Sequence, residues 1–236
     1  MPTVHSNIKE LTNAGLIKMG ASKKSSGGRR PHGYLPVGDA AYAASVYITD
    51  EGLRFLIMDL KLTEIVYMRI KSNPFKDLDT VGKTISVELE KLFTKSKIDR
   101  KKVLGVGIAI PAVIDREKDQ IGLSPTLHLH GNSLQSLRDA INYKCLIEND
   151  GTCGGFAEWY TRQDRGNRDI AYLLLENGIG GAVMLNGAQY NGNHCRSGEF
   201  GHMCIEPGGK NCQCGKKGCL EAYCSACKEE KEGICR

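Results

Sequence analysis

His202, Cys212, Cys214 and Cys219 lie within GEFGHMCIEPGGKNCQCGKKGCLE, three cysteines spaced C-x-C-x4-C with a histidine ten residues upstream. One imidazole and three thiolates make a complete tetrahedral set for Zn2+, and Gly215 and Gly218 let the loop fold back on itself. With four protein ligands no coordination position stays open, so the expected role is structural rather than catalytic. Glu199, three residues before His202, and Glu221, two past Cys219, would then be held by the metal loop without binding the ion, free to grip a ligand. The competing reading is disulfides or free thiols, since the chain has ten cysteines. These crowd into the C-terminal half and no apolar signal peptide precedes them, which fits a reducing cytoplasm, with metal for the tight cluster and reduced thiols for the rest. Cys224, Cys227 and Cys235 indicate nothing by themselves.

A different chemistry is concentrated at the other end. Residues 1–36 hold Lys9, Lys18, Lys23, Lys24, Arg29 and Arg30 against Glu10 alone, a surplus of five that equals the formal net charge of the whole chain. The remaining 200 residues are balanced, so a polyanion would be met at the N-terminus. The segment predicts a helix, a short turn and a hairpin-like or extended arm. Val4, Ile8, Leu11, Leu16 and Ile17 form the expected apolar stripe, with Pro2 in the first turn and Gly15 as a left-handed stop. Thr3, His5, Ser6 and Lys9 near the helix start suit a major groove. Lys23 and Lys24 suit phosphates, and the arm Ser25 to Pro31, carrying Arg29 and Arg30 behind two glycines, suits a minor groove. A solvated linker is the alternative for the arm, and one helix plus an arm is only part of a DNA-binding domain.

The elements that must position the first group follow from Ala41 onward. AASVYIT, FLIMDL and EIVYMRI read as a three-strand meander, Asp79 to Lys95 as a helix with Val81, Ile85, Leu89, Leu92 and Phe93 on one face, and VLGVGIAIPAVID as a buried strand. A second helix over Ser133 to Ile141, a strand CLIEND, a helix from Gly154 to Arg162 and a hairpin YLLLENGIGGAVMLNG follow. Three strands, helix, strand, helix, strand is the order of an α/β actin-like or ribonuclease-H-like domain, which sets polar strand-end residues around a cleft. Apolar residues make up 41% of the chain, and no run approaches the ~18 needed to span a membrane. A cytoplasmic protein without membrane partners is expected.

The segments GVGIAIPAVID, IENDGTCGGFAEW, NGIGGAVMLNGAQYNG, GEFGHM and CQCGKKGCLEAY, in this order, resemble the ROK family of bacterial sugar kinases and sugar-responsive repressors over about Ala41 to Cys227. The resemblance implies structural zinc on the same His and three Cys, and sugar contacts at Asn149, Asp150, Glu199, His202 and Glu221. Carboxylates and amides that take paired hydrogen bonds from neighbouring hydroxyls are what sugar recognition needs. Thr126 stands where the family commonly has an asparagine, with His128 and His130 nearby. Three regions are implied: residues 1–36 as part of a winged helix-turn-helix and its arm, 37–148 as a first lobe, and 149–236 as a second lobe with the zinc loop. Relative to the family both ends are expected to be truncated, the second lobe incomplete and the isolated chain poorly stable.

Kinases of the family need a base, for which Asp150 is the match, and two glycine-rich phosphate turns. The first, D-x-G-G-T in kinases, reads YITDE at Tyr47 to Glu51. The second reads ENGIGG, retaining Gly178, Gly180 and Gly181 but adding Glu176. Carboxylates at Asp50, Glu51 and Glu176 would repel polyphosphate. The expectation is a sugar-responsive repressor of carbohydrate genes, with xylose the sugar suggested by resemblance, operator DNA and a small sugar as partners, a homo-oligomer when full length, and no ATP as cofactor. A glucokinase-like enzyme using Asp150, and a free-standing zinc module over residues 195–225, are the alternatives.

Overall fold

The computed structural model describes residues 2–22, 32–71, 77–162, 169–192 and 196–225. Helix α1 (Pro2–Asn13) ends at Gly15, whose φ of 71° lets the amides of Gly15 and Leu16 reach back to the carbonyls of Thr12 and Leu11, both at 3.0 Å. Leu16 and Ile17 therefore leave the helix instead of extending its apolar stripe. Ile17 opens β1 (Ile17–Ser22), which pairs antiparallel with β2 (His32–Pro36). The same apolar residues satisfy a helical and a strand spacing, and the glycine decides between them. The connector from β2 to the body is bonded on both sides. Val37 donates to the Leu16 carbonyl at 2.9 Å and Leu60 to the Gly38 carbonyl at 3.0 Å, while the Lys102 ammonium reaches the Asp39 carbonyl at 2.7 Å.

The expected meander is β3 (Tyr42–Thr49), β4 (Gly52–Asp59) and β5 (Glu64–Lys71). Helix α2 (Leu78–Lys95) starts where the Asp77 carboxylate accepts from the Thr80 amide at 2.7 Å. Next come β6 (Val103–Ile110), a small hairpin of β7 (Val113–Asp115) and β8 (Gln120–Leu123) that sequence periodicity does not separate from β6, and α3 (Gln135–Asp139). The helix expected over Ser133 to Ile141 thus shrinks to little more than one turn. β9 (Cys145–Asn149) runs directly into α4 (Asp150–Thr161), four residues earlier than expected, because Asn149 caps it: the Asn149 Oδ1 accepts from the Thr152 amide at 3.0 Å. The chain continues through β10 (Ile170–Leu175), β11 (Ile179–Leu185), β12 (Ala188–Gln189) and α5 (Glu221–Cys224).

The strands form a mixed five-stranded sheet in the order β5-β4-β3-β6-β9, antiparallel on the β5 side and parallel from β3 through β9. Alternation sends Ala44, Val46 and Ile48 of β3 and Leu53, Phe55 and Ile57 of β4 into a core with Val81, Ile85, Leu89, Leu92 and Phe93 of α2, the face expected from spacing. The opposite face of β3 carries Ser45 and Tyr47. Because β3, β6 and β9 are parallel, Thr49, Ile110 and Asn149 end at one edge, the place where ribonuclease-H-like and other open α/β sheets present their binding residues. A second sheet, β10-β11-β12, packs against α4 and returns its β10–β11 turn to that edge.

Glycines set the spacing between α4 and this second sheet. A methyl group on Gly151 would sit 2.8 Å from the Gly181 amide nitrogen, and one on Gly155 would sit 2.5 Å from the Ala182 Cβ. The start of α4 therefore lies against the β11 backbone with no room for a side chain. Gly151→Ala should lower stability by about 1–3 kcal/mol through overpacking, read from the denaturant midpoint. Gly107→Ala, where an added methyl meets nothing within 4 Å, should change it by less than about 1 kcal/mol; equal shifts would contradict the close approach at Gly151.

Candidate functional site

The edge where the parallel strands end faces the β10–β11 turn and the loop before α5 across a cleft. Its walls include Tyr47, Thr126, Asp150, Glu176, Glu199 and Glu221, together with Asn149 and His202. The cavity measures about 120 Å3, room for about four waters at the ~30 Å3 each takes in the liquid, the scale of one small ring. All five residues expected to contact sugar line this one space. Thr126 belongs to the wall and neither His128 nor His130 does.

Asn149 spends much of its amide on structure: besides capping α4, its Nδ2 donates to the Ala112 carbonyl at 3.1 Å. Asp150 is more constrained than its position alone suggests. Oδ1 accepts from the Gly151 amide at 2.9 Å, and Oδ2 lies 3.0 Å from the Tyr47 hydroxyl. The same hydroxyl lies 2.9 Å from the Glu176 Oε2. A phenol has one proton, so it cannot donate to both carboxylates at once. The oxygen it leaves is open to a proton or another donor, such as a ligand hydroxyl. Burial, reinforced by the nearby Glu176, raises the Asp150 pKa, and burial between two carboxylates likewise raises that of Tyr47.

Tyr47 was not singled out as a site residue by its sequence, and of the segment YITDE compared with a phosphate turn its first three residues belong to the expected strand. β3 continues to Thr49, so Tyr47 is a strand residue and the turn is formed by Thr49 to Gly52, where the Thr49 hydroxyl donates to the Gly52 carbonyl at 3.2 Å. Asp50 accepts from the Asn177 Nδ2 at 2.7 Å, and Glu51 pairs with Arg69. The two turns that would cradle phosphates in a kinase are joined here by their own side chains, and Asp50 and Glu176 project into the cleft.

The proposed metal ligands converge. The donor atoms of His202, Cys212, Cys214 and Cys219 all lie within 4.8 Å of one another. Tetrahedral Zn2+ with bonds of about 2.3 Å to sulfur and 2.0–2.1 Å to nitrogen separates two sulfurs by about 3.8 Å and a sulfur from a nitrogen by about 3.6 Å. The Cys214 and Cys219 sulfurs are 3.7 Å apart, and the Cys212 sulfur is 3.6 Å from the His202 Nδ1. The donor set fits the ion. His202 would bind it through Nδ1, leaving Nε2, which faces the Glu199 Oε2 at 3.7 Å. Burial raises the Glu199 pKa, partly offset by His202. Glu221 ties the loop to the cleft: Oε2 accepts from the Ile179 amide at 2.9 Å while Oε1 faces the Cys212 sulfur at 3.9 Å. With Gly198 and Gly201 also packed directly against β11, the loop depends on the second sheet, against a free-standing module over residues 195–225.

At the N-terminus, Thr3, His5, Ser6 and Lys9 are all exposed on α1. Lys23, Lys24, Arg29 and Arg30 lie outside the described residues, as do Cys227 and Cys235. Cys224 ends α5 as an exposed thiol.

Two outcomes follow from this geometry. The protein should carry about one equivalent of zinc by elemental analysis, and a strong chelator should release it and expose residues 196–225 to protease; a zinc-free protein equally resistant would remove the metal reading. Asp150 has a folded pKa above its unfolded value near 3.9, so its contribution to stability falls as pH rises through the folded pKa. Asp150→Asn should therefore be more stable than wild type in denaturant titrations at pH 7, the difference shrinking toward about pH 4. A wild-type advantage at pH 7 would show that the charge is needed.

Comparison with known proteins bears on both ends of the chain. The ROK family model matches residues 52–228. The xylose repressor of Bacillus subtilis (strain 168) is 28% identical over 227 residues, covering 94% of this chain and 58% of that protein. A glucokinase of Thermotoga maritima is 37% identical over 123 residues, covering 51% of this chain and 39% of that protein. A crystal structure of a ROK family transcriptional regulator, a homologue of the Escherichia coli MLC protein, superposes with a TM-score of 0.76 at 21% identity, covering 99% of this chain and 59% of that one. This chain thus spans somewhat over half the length of the repressor it matches. With the family model matched over three-quarters of its residues, the chain belongs to the ROK family and has its actin-like α/β fold.

Proposed function

We propose that this chain is the sugar-sensing part, with some of the DNA-reading part, of a transcriptional repressor of carbohydrate-utilisation genes, and that it binds sugar in the cleft without phosphorylating it. The observation that carries this reading is the state of the two would-be phosphate turns. Asp50 and Glu176 face the cleft and side chains bridge the turns, so polyphosphate would meet negative charge where a kinase offers backbone N–H groups. Asp150, the would-be base, has both oxygens already engaged.

Glu199, Glu221, Asn149, Asp150 and the free nitrogen of His202 can still accept or donate at second lone pairs and remaining protons, which suits several hydroxyls of one small neutral sugar. Zn2+ on the His and three Cys would hold Glu199, His202 and Glu221 in place. The likeness to a xylose repressor over most of the chain makes xylose the first sugar to test. Exposed Thr3, His5, Ser6 and Lys9, with Lys23, Lys24, Arg29 and Arg30, would meet the major groove, phosphates and minor groove of operator DNA. In a homo-oligomer, sugar-biased lobe closure would change the spacing of these DNA-reading ends.

The glucokinase reading draws on the half-chain match to a glucokinase and on Asp150. The two separate in one experiment. Calorimetry with xylose and glucose should detect sugar binding that ATP neither needs nor strengthens, and a coupled assay should detect no sugar-dependent ADP release. Turnover abolished by Asp150→Asn would establish the kinase instead.

A further inference from the structure

Tyr47 belongs to β3 of the five-stranded sheet, and its two carboxylate partners lie on different elements, one directly after β9 of the same sheet and one across the cleft. Asp150 opens α4, which packs on the second sheet, and Glu176 begins the β10–β11 turn. Arg54, directly opposite Tyr47 on β4, lies over the phenol ring at 5.4 Å from its centroid and reaches the Glu176 Oε1 at 3.9 Å. Asp50 holds the next residue of the turn, Asn177. The turn of the second lobe is thus held by three side chains of the first, at the place where a nucleotide would otherwise join two phosphate turns.

The proton count gives this arrangement a direction. With the cleft empty of sugar, one phenolic proton is contested by two carboxylates. A sugar hydroxyl that donates to Asp150 satisfies that carboxylate from outside, and the phenol can then donate wholly to Glu176. Occupancy of the cleft therefore strengthens the bond that crosses it, which is the differential contact any ligand-driven closure requires.

We propose that Tyr47 is the positioning residue of the cleft, linking Asp150 to Glu176 so that a sugar hydroxyl on Asp150 tightens the β10–β11 turn onto the first lobe without a nucleotide. This rests on the sugar-binding reading above for its ligand, while the tether itself is measurable without one. No covalent step is involved. The phenol acts through Glu176, and its loss is felt as a loss of transmission from the cleft to the turn.

The test is amide hydrogen exchange on the whole chain, as wild type and Tyr47→Phe, alone and with saturating xylose or glucose, beside calorimetry of the same sugars. Phenylalanine keeps the ring under Arg54 and removes only the hydroxyl. Without sugar, exchange of the Glu176 and Ile179 amides should rise about tenfold in the variant, the loss expected for one hydrogen bond to a charged partner. In wild type, sugar should slow these amides further. In the variant, sugar should bind about tenfold more weakly and at saturation leave them unchanged, whereas a merely structural role would leave sugar protection in place. Glu176→Gln, which keeps an acceptor but removes the charge, gives a second reading should Tyr47→Phe fail to fold; a smaller rise, about threefold, is expected. Equal exchange of the turn in wild type and the folded variants overturns the inference. Undiminished sugar protection in the variant does the same. Failure of wild type to bind either sugar overturns the proposed function and the sugar-driven half of this inference, and the sugar-free exchange still decides the tether.

Discussion

Gly181 of β11 is approached by backbone from two directions, by Gly151 at the start of α4 and by Gly198 before the metal loop. No side chain separates these segments, and the cleft depends on that contact. It sets Asp150 beside the β10–β11 turn on one side and brings Glu199 and His202 up from the other. Metal ligation would fix the loop internally, but where the loop lies relative to Asp150 is decided by glycine against glycine. Interiors are close-packed and deform little, so a side chain at any of these positions would be felt at the carboxylates several residues away.

The charge distribution has a corresponding logic. Asp50, Asp150, Glu176, Glu199 and Glu221 all border one cleft, and Arg54 reaches Glu176 from beside Tyr47. Partly buried carboxylates are costly unless hydrogen-bonded, and Asp150, Glu176 and Glu221 are, to Tyr47, Gly151 and Ile179, while exposed Asp50 accepts from Asn177. The remaining acceptor capacity favours a neutral donor-rich ligand over any anion. The basic surplus at residues 1–36 has the opposite preference. The groups that suit a neutral ligand and the groups that suit a polyanion thus lie at opposite ends of the sequence.

How far the sequence could be read depended on whether a signal was local. The α2 face from Val81 to Phe93 needs only a 3.6-residue period, and the His and three Cys of the metal loop need only their spacing, so both were legible. The cleft residues Asn149, Asp150, Glu199, His202 and Glu221 were placed through family resemblance, since nothing local brings residues seventy apart together. Tyr47 was missed because alternation along β3 shows which face it occupies but not that Asp150 and Glu176 meet it there, 103 and 129 residues away. Leu16 and Ile17 fit a helical stripe by spacing as well as a strand, and the left-handed stop expected at Gly15, which the structure has, places them outside the helix. The brief α3 lost the ends of its expected span because Leu134 and Ile141 are buried from irregular backbone, which apolar periodicity does not distinguish from helix.

The connector at Val37 to Asp39 bears on mechanics. Val37 is bonded back to Leu16 beyond α1, and Gly38 and Asp39 are bonded to Leu60 and Lys102, which flank strands of the five-stranded sheet. A hinge needs residues free to change φ and ψ, and here consecutive residues are pinned on opposite sides. Any turning of the helix and hairpin against the five-stranded sheet is therefore confined to the backbone between Val37, bonded to Leu16, and Gly38, bonded to Leu60.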